Sequence, residues 1–244
     1  MFERTDLIMK KIIFLLCIIS FQSESQSILP SFHGVFHNKN IPTSGQVSFF
    51  NFSSGESGYS LSGVSTTSDK NGNADSAVEL DATTDKITGQ FSELLNNDFT
   101  VSIWAKLNSP QPTRKMWLIS FGSPSTNKAF HLGVRYDGVF DGNYRVGSWL
   151  ANHATDDNLG NDYTWKHYVV TYDKSEQEYK FYIDNSLTHT QTNHALTIDA
   201  TDFTIGNQLG NLYDNESWYG KIDQFGAWNR ILTLQEIADL YNNY

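Results

Sequence analysis

Between Phe99 and Leu107 the chain alternates strictly. Phe99, Val101, Ile103, Ala105 and Leu107 fall on one side of the pattern, and Thr100, Ser102, Trp104 and Lys106 on the other. A period of two is the signature of a β-strand with one face buried, since successive side chains leave a strand on opposite faces. Such a strand is unstable alone, so the rest of the chain must supply sheet partners and a second layer to cover the apolar face.

The partners are legible. Gln46 to Phe52 alternates, Met116 to Phe121 is a short apolar run, and Phe130–Tyr136 and Tyr144–Leu150 read as two strands flanking a turn at Asp141-Gly142. Trp165–Tyr172, Asp202–Gly206 and Gly220–Trp228 add three more. Tyr179–Ile183 is followed by Asp184-Asn185 and then Ser186–Thr188, which predicts a hairpin, because Asp and Asn tolerate the positive φ that a two-residue turn requires. One helix is expected, at the end of the chain. Thr233 and Glu236 form a capping box, and Ile237, Leu240 and Tyr241 make a single apolar stripe behind it. Short strands, polar turns and a 14 % aromatic content exclude a helical bundle and a disordered chain.

The N-terminus is of a different kind. Lys10 and Lys11 precede the apolar run Ile12–Ile19, and Ser23-Glu24-Ser25 offers a cleavage region before Gln26. This predicts a signal peptide over residues 1–25, with Met9 as a more ordinary start than Met1. The run is well short of the roughly 20 residues a spanning helix needs, so no transmembrane anchor is expected in the mature chain. The one cysteine, Cys17, lies inside this leader, which leaves the exported chain without disulfides. Residues 26–44, with Pro30, Pro42, His33 and His37, read as a linker or extended segment, and 45–244 as one domain. The expected location is outside the cytoplasm: secreted, periplasmic or at the cell surface.

A formal net charge of −10 disfavours nucleic acid, whose binding needs a basic footprint. Neutral sugars and divalent cations remain compatible.

The blocks DFTVSIWAKLN (Asp98–Asn108), WKHYVVTYD (Trp165–Asp173), YKFYIDNSL (Tyr179–Leu187) and GKIDQFGAWNRILTLQEIADLY (Gly220–Tyr241) resemble successive blocks of a laminin-G-like domain. GQVSFFNFSSGESG (Gly45–Gly58) and DKNGNADSAVELDATTDKI (Asp69–Ile87) resemble its opening blocks, and Asn185 stands where the family usually has Gly. The resemblance implies an all-β, two-sheet antiparallel jelly-roll sandwich of the concanavalin A-like superfamily with a short C-terminal helix. That fold serves lectins, adhesion modules, glycosidases and lyases, so it names no function by itself.

ELDATTD (Glu79–Asp85) looks like the start of a glycosidase strand. A retaining glycosidase needs two carboxylates about 5–5.5 Å apart. Here i+4 and i+5 from Glu79 are Thr83 and Thr84, and Asp85 would lie roughly 20 Å away along an extended strand. A non-catalytic reading is therefore preferred, with a glycoside hydrolase or polysaccharide lyase, or a protein-binding structural module, as alternatives. Five histidines from His131 onward are scattered, no Gly-x-Ser-x-Gly elbow occurs, and His167 in the WKHYVV strand reads as structural.

Two sites are expected. Asp69, Asn71, Asn73 and Asp75 place oxygens at every second position around Gly72, a loop able to wrap a hard cation. The resemblance adds Asp223, matching an acid that relatives use to hold a structural calcium between an early loop and the penultimate strand. The second site is for a glycan or cell-surface polysaccharide. Trp104, Trp165 and Trp228 fall inside the family blocks and are expected in the core, whereas Trp117, Trp149, Tyr213, Trp218 and Tyr219 lie at strand ends or beside polar loops. Rings stack on apolar sugar faces, and Asn and Arg direct hydrogen bonds. Trp149, Tyr213, Asn211, Arg135, Arg145 and Trp218 are the candidates.

Overall fold

A computed structural model describes residues 41–243 except 54, 109–115, 124, 126–127, 135–138, 147, 159–162, 208 and 210–216, and gives the backbone alone for the rest of 134–158. The leader expected over 1–25 lies outside the described residues. Pro42–Tyr241 forms one compact unit.

The strands in chain order are β1 (Gln46–Phe50), β2 (Tyr59–Ser62), β3 (Ser65–Thr67), β4 (Ala77–Leu80), β5 (Lys86–Gln90), β6 (Phe99–Leu107), β7 (Met116–Ser123), β8 (Lys128–Val134), β9 (Val139–Val146) and β10 (Ser148–Asn158). They continue with β11 (Lys166–Asp173), β12 (Glu178–Ile183), β13 (Ser186–Gln191), β14 (Asp202–Ile205) and β15 (Gly220–Trp228), and helix α1 (Leu234–Asn242) follows. Two antiparallel sheets result. One runs β13-β12-β11-β6-β15-β4-β3, with β1 also paired to β15, and the other runs β10-β9-β8-β7-β14-β5-β2. The jelly-roll sandwich that the family resemblance implies is the fold observed.

The inward positions of both sheets meet in one apolar core. Its centre is aromatic: Phe50, Phe91, Phe203 and Phe225 gather in one half, where the Phe91–Phe203 centroids are 4.9 Å apart. Phe99, Phe121, Phe130, Tyr172 and Tyr179 fill the other half, with Tyr172 stacked on Tyr179 at 4.5 Å. The buried Tyr172 hydroxyl accepts the Leu196 N–H at 2.9 Å, which ties the long β13–β14 connection to the core.

The turn chemistry is as expected at the hairpin, where Asp184 and Asn185 have φ of 50° and 63°. The capping box also forms: the Thr233 N–H donates to Glu236 Oε2 and the Glu236 N–H to Thr233 Oγ1. Arg230 adds a two-pronged contact to the Glu236 carboxylate at 2.6 and 2.8 Å. The two ends of the unit are laced together. β1 pairs with β15, the Trp228 indole N–H donates to the Pro42 carbonyl at 2.6 Å, and Asn229 N–H donates to the Gly45 carbonyl at 2.8 Å. Gly45 is required there, because it sits at φ +69° and a Cβ would come within 2.6 Å of Asn229 Oδ1.

One expectation is corrected. Asp141 and Gly142 do not form a turn. They lie inside β9, where Gly142 pairs with Leu132 on one side and His153 on the other. β8 ends at Val134 and β9 begins at Val139, and β9 ends at Val146 and β10 begins at Ser148.

Candidate functional site

ELDATTD does not form one continuous strand: β4 ends at Leu80 and β5 begins at Lys86. Glu79 ends its run in β4, where it accepts a hydrogen bond from Asn108 Nδ2 at 2.8 Å and faces Lys221. Asp85 is buried in the following turn and accepts the Asp81 and Ala82 N–H groups, both at 2.9 Å, before the chain crosses to the other sheet as β5. Both carboxylates are absorbed by structure.

The seven-stranded sheet carries its distinctive chemistry on the face turned away from the core. Phe121, Phe130, Leu132, Phe203 and Ile205 point inward, so their strand neighbours point out. Across the ladders one residue from each strand falls into a single row: Ser60 opposite Thr88, Thr88 opposite Thr204, Thr204 opposite Ser120, Ser120 opposite His131, His131 opposite Asn143, and Asn143 opposite Asn152. All seven are polar. At the centre Ser120 Oγ and His131 Nδ1 are 2.8 Å apart, and Trp117 lies against the His131 ring with centroids at 5.2 Å. These three are buried, as is Thr204.

The neighbouring row contains Gly122, Ala129, Arg145 and Trp149, each opposite the next. Gly122 and Ala129 have the smallest side chains of this row, and both are buried. Gly122 has φ +96° and a Cβ there would stand 2.4 Å from the Lys128 carbonyl. Two of the glycan-site candidates, Trp149 and Arg145, are therefore brought together in direct register on β10 and β9. Arg135, Asn211 and Tyr213 lie outside the described residues. Trp218 is a correction: it is fully buried in the core, edge-on to Tyr168, and offers no face to a ligand. Trp117 is also buried, beneath the same outer face. Of the expected core tryptophans, Trp104 and Trp228 are buried and Trp165 is half-buried.

The eight-stranded sheet has a second cluster on its own outer face. Trp104 in β6 pairs with His167 of β11 on one side and Asp223 of β15 on the other. His167 is stacked on Trp104 at 5.0 Å, and Tyr241 of α1 lies nearly parallel to the same ring at 5.6 Å. His167 Nε2 is 2.7 Å from Ser102 Oγ. Burial pushes its pKa down to about 3, and the Lys70 charge pushes the same way, so the imidazole is neutral.

Asp223 is fully buried. One oxygen accepts the Gln224 N–H at 2.7 Å, and the other has no hydrogen-bond partner. Burial pushes its pKa up to about 8, helped by Asp69 and Glu56, while the Gln224 N–H and Lys70 act in the opposite sense.

The 69–75 loop is closed on itself. Asp69 Oδ1 accepts the Asn71 and Asn73 N–H groups at 2.8 and 2.9 Å, and its Oδ2 accepts Asn73 Nδ2 at 2.8 Å. Asn71, Asn73 and Asp75 are exposed, and Asp75 binds the Thr66 hydroxyl. Calcium takes six to eight oxygens. The unsatisfied Asp223 oxygen fits a cation, but the loop does not supply a cage around it: among the described residues no three acidic or histidine side chains gather as a metal group.

Comparison with known proteins places this geometry. The laminin G model of the concanavalin A-like lectin/glucanases superfamily matches residues 71–238. A search of curated protein sequences returned no match. Among solved structures, the receptor-binding domain of botulinum neurotoxin C/D mosaic serotype superposes with a TM-score of 0.64 at 13 % identity, covering 81 % of this chain and 51 % of that one. The chain thus spans about half the length of the toxin domain. Domain 4 of AbnA, a GH43 extracellular arabinanase from Geobacillus stearothermophilus solved with arabinotriose, gives 0.62 at 18 %, covering 81 % and 98 %. The CBM40 module of a Ruminococcus gnavus sialidase bound to α2,3-sialyllactose gives 0.54 at 15 %, covering 68 % and 95 %. At these identities the likeness is one of fold.

Proposed function

This chain belongs to the laminin G branch of the concanavalin A-like lectin/glucanases superfamily, and we propose that it is an exported, non-catalytic glycan-binding module. The observation that carries this reading is the pair of rows on the outer face of the seven-stranded sheet. A sugar ring presents an apolar face and an equatorial belt of hydroxyls, and recognition needs a flat ring for the first and directed hydrogen-bonding groups for the second. Trp149 and Arg145 stand opposite one another on the outermost two strands, and Asn143 and Asn152 are opposite one another one row away. On β9 the two rows, at Arg145 and Asn143, are two residues apart, about 6.6 Å along the strand, a spacing on the scale of one or two sugar units.

Two of the solved relatives, the arabinanase domain and the sialidase module, carry an oligosaccharide. That likeness supports a glycan as the ligand class and leaves the sugar open. The absorbed roles of Glu79 and Asp85 support a binding role over hydrolysis. Export accords with the N-terminal leader. No described helix is long and apolar enough to cross a membrane.

The test is a glycan-array screen of the purified protein, followed by titration of Trp149→Ala and Arg145→Ala against the best sugar. Each variant is expected to bind about tenfold more weakly or worse, by the value of a single aromatic or charge-assisted contact. An array without a hit, or both variants binding as the parent does, would overturn the assignment.

A further inference from the structure

The acidic cluster on the eight-stranded sheet needs a positive charge, and the chain supplies one of its own. A carboxylate with no exposure to water is costly unless a cation faces it. Once ionised, above a pH of about 8, Asp223 is such a group, with one oxygen unpartnered, and Asp69 and Glu56 add negative potential to it. Lys70 follows Asp69 directly. The three hydrogen bonds that Asp69 accepts from its own loop hold the backbone at this point.

The Lys70 ammonium lies 3.9 Å from the centroid of the Trp104 ring. Trp104 is the residue directly opposite Asp223 in the β6–β15 ladder. His167 and Tyr241, both close to parallel with the indole, fix the ring so that its π face is available to a cation. Burial pushes the Lys70 pKa below its ordinary value, and Asp184, Asp223 and Asp69 act in the opposite sense, favouring its charged form. Lys166, the next lysine in the area, is engaged with Asp184 at 2.9 Å.

A hard divalent ion gains nothing from an aromatic face and requires several oxygens around one point. An ammonium is suited to the reverse: one ring face and a few carboxylates at its rim. We propose that the Lys70 ammonium is the resident cation of this cluster, seated on Trp104 and neutralising Asp223 and Asp69 where a divalent metal would otherwise be required, so that the fold is independent of calcium.

The experiment combines calcium titration with a charge-swap cycle on the full chain, above a pH of about 8 so that Asp223 is ionised. Thermal unfolding of the parent in chelator and in millimolar calcium is expected to give the same midpoint, and calorimetric titration with calcium chloride to give no binding heat. Lys70→Met, which keeps the stem but not the charge, should lower the midpoint by about 2–4 °C or more, and Asp223→Asn should lower it too. The double variant should recover part of the combined loss, because each single change leaves an unpaired buried charge and the double removes both. Lys70→Arg, which can stack on the same ring, should keep the parent midpoint. A calcium-dependent rise in the parent midpoint overturns the proposal, as do strictly additive losses in the cycle. Should either single variant fail to fold while the double folds, that rescue is itself the expected coupling.

Discussion

Both sheets carry a tryptophan, a histidine and a serine on the outer face, and the two trios do different things. In the eight-stranded sheet Trp104 stacks on His167, which meets Ser102 at 2.7 Å. In the seven-stranded sheet Trp117 leans on His131 at 52°, and His131 meets Ser120 at 2.8 Å. The first pair is diagonal, since Ser102 stands opposite Val169 and His167 opposite Trp104. The second is direct, and the polar character continues through it along all seven strands. The first trio ends against α1 and the Lys70 cation, and the second runs outward to Asn143 and Asn152. Residue type therefore does not separate a structural cluster from a binding face. What lies next in the row does.

The comparison breaks most visibly at the two tryptophans. Trp104→Ala removes the ring that His167, Tyr241 and Lys70 all rest on, and is expected to cost about 3–5 kcal/mol of stability in denaturant unfolding, as large buried aromatics do. Glycan affinity of the folded fraction should be unchanged. Trp149→Ala should show the reverse, with affinity lost and the midpoint kept. If Trp104→Ala also abolishes binding, the two faces are coupled and the contrast fails.

The serines sharpen it. Ser102→Ala and Ser120→Ala each leave a buried imidazole nitrogen without its partner, at about 1–3 kcal/mol. Only Ser120→Ala is expected to weaken sugar binding as well. Equal affinity for both variants would mean that the polar row is merely structural.

Acid separates the faces again. The folded pKa of His167 lies near 3, below the ordinary 6.5. A depressed value means that the unfolded chain binds the proton first, so its contribution to stability is present above about pH 6.5 and is lost as pH falls towards 3. Comparing unfolding midpoints of the parent and His167→Gln across that range should show a flatter profile for the variant.

The smallest effect belongs to α1. The Arg230 guanidinium holds the Glu236 carboxyl at about 2, below its ordinary 4.5, with the Thr233 groups helping. The capped helix should keep full support above about pH 4.5 and lose it as pH falls through 2. Arg230→Met is expected to raise that acid transition, read by hydrogen exchange of the α1 amides.

The sequence was a good guide wherever local pattern and tertiary outcome share a cause. The period of two over Phe99–Leu107, the Asp184-Asn185 reversal and the Thr233–Glu236 box each form from forces acting within a few residues. It misled where the outcome depends on distant cover. Asp141-Gly142 has turn chemistry but is held straight by ladders on both sides. Trp218 neighbours a polar loop in sequence, yet its ring is enclosed by the core. The 69–75 loop is a case that local pattern leaves undivided, because an Asx-closed turn and a cation cage use the same oxygens at the same spacing. On the role proposed for Lys70, the two are told apart by its ammonium over Trp104, a contact between residues 34 apart that no window of sequence reveals. The pairing of Trp149 with Arg145 was not legible: both were expected in one strand, Tyr144–Leu150, which the structure divides between β9 and β10.

The lacing of β1 to β15 has a mechanical consequence. The chain enters the unit at Pro42 and passes into α1 after Trp228, so that its first and last strands are antiparallel neighbours in the eight-stranded sheet. The start of β1 and the end of β15 thus share one end of that sheet, while the rows of Trp149 and Asn152 belong to the other sheet. Strung in a longer polypeptide, the domain would hang as a side-loop from a single attachment point. Tension along that polypeptide would open the β1–β15 bonds one after another, like a zip, before it strained the ladders that carry the ligand face.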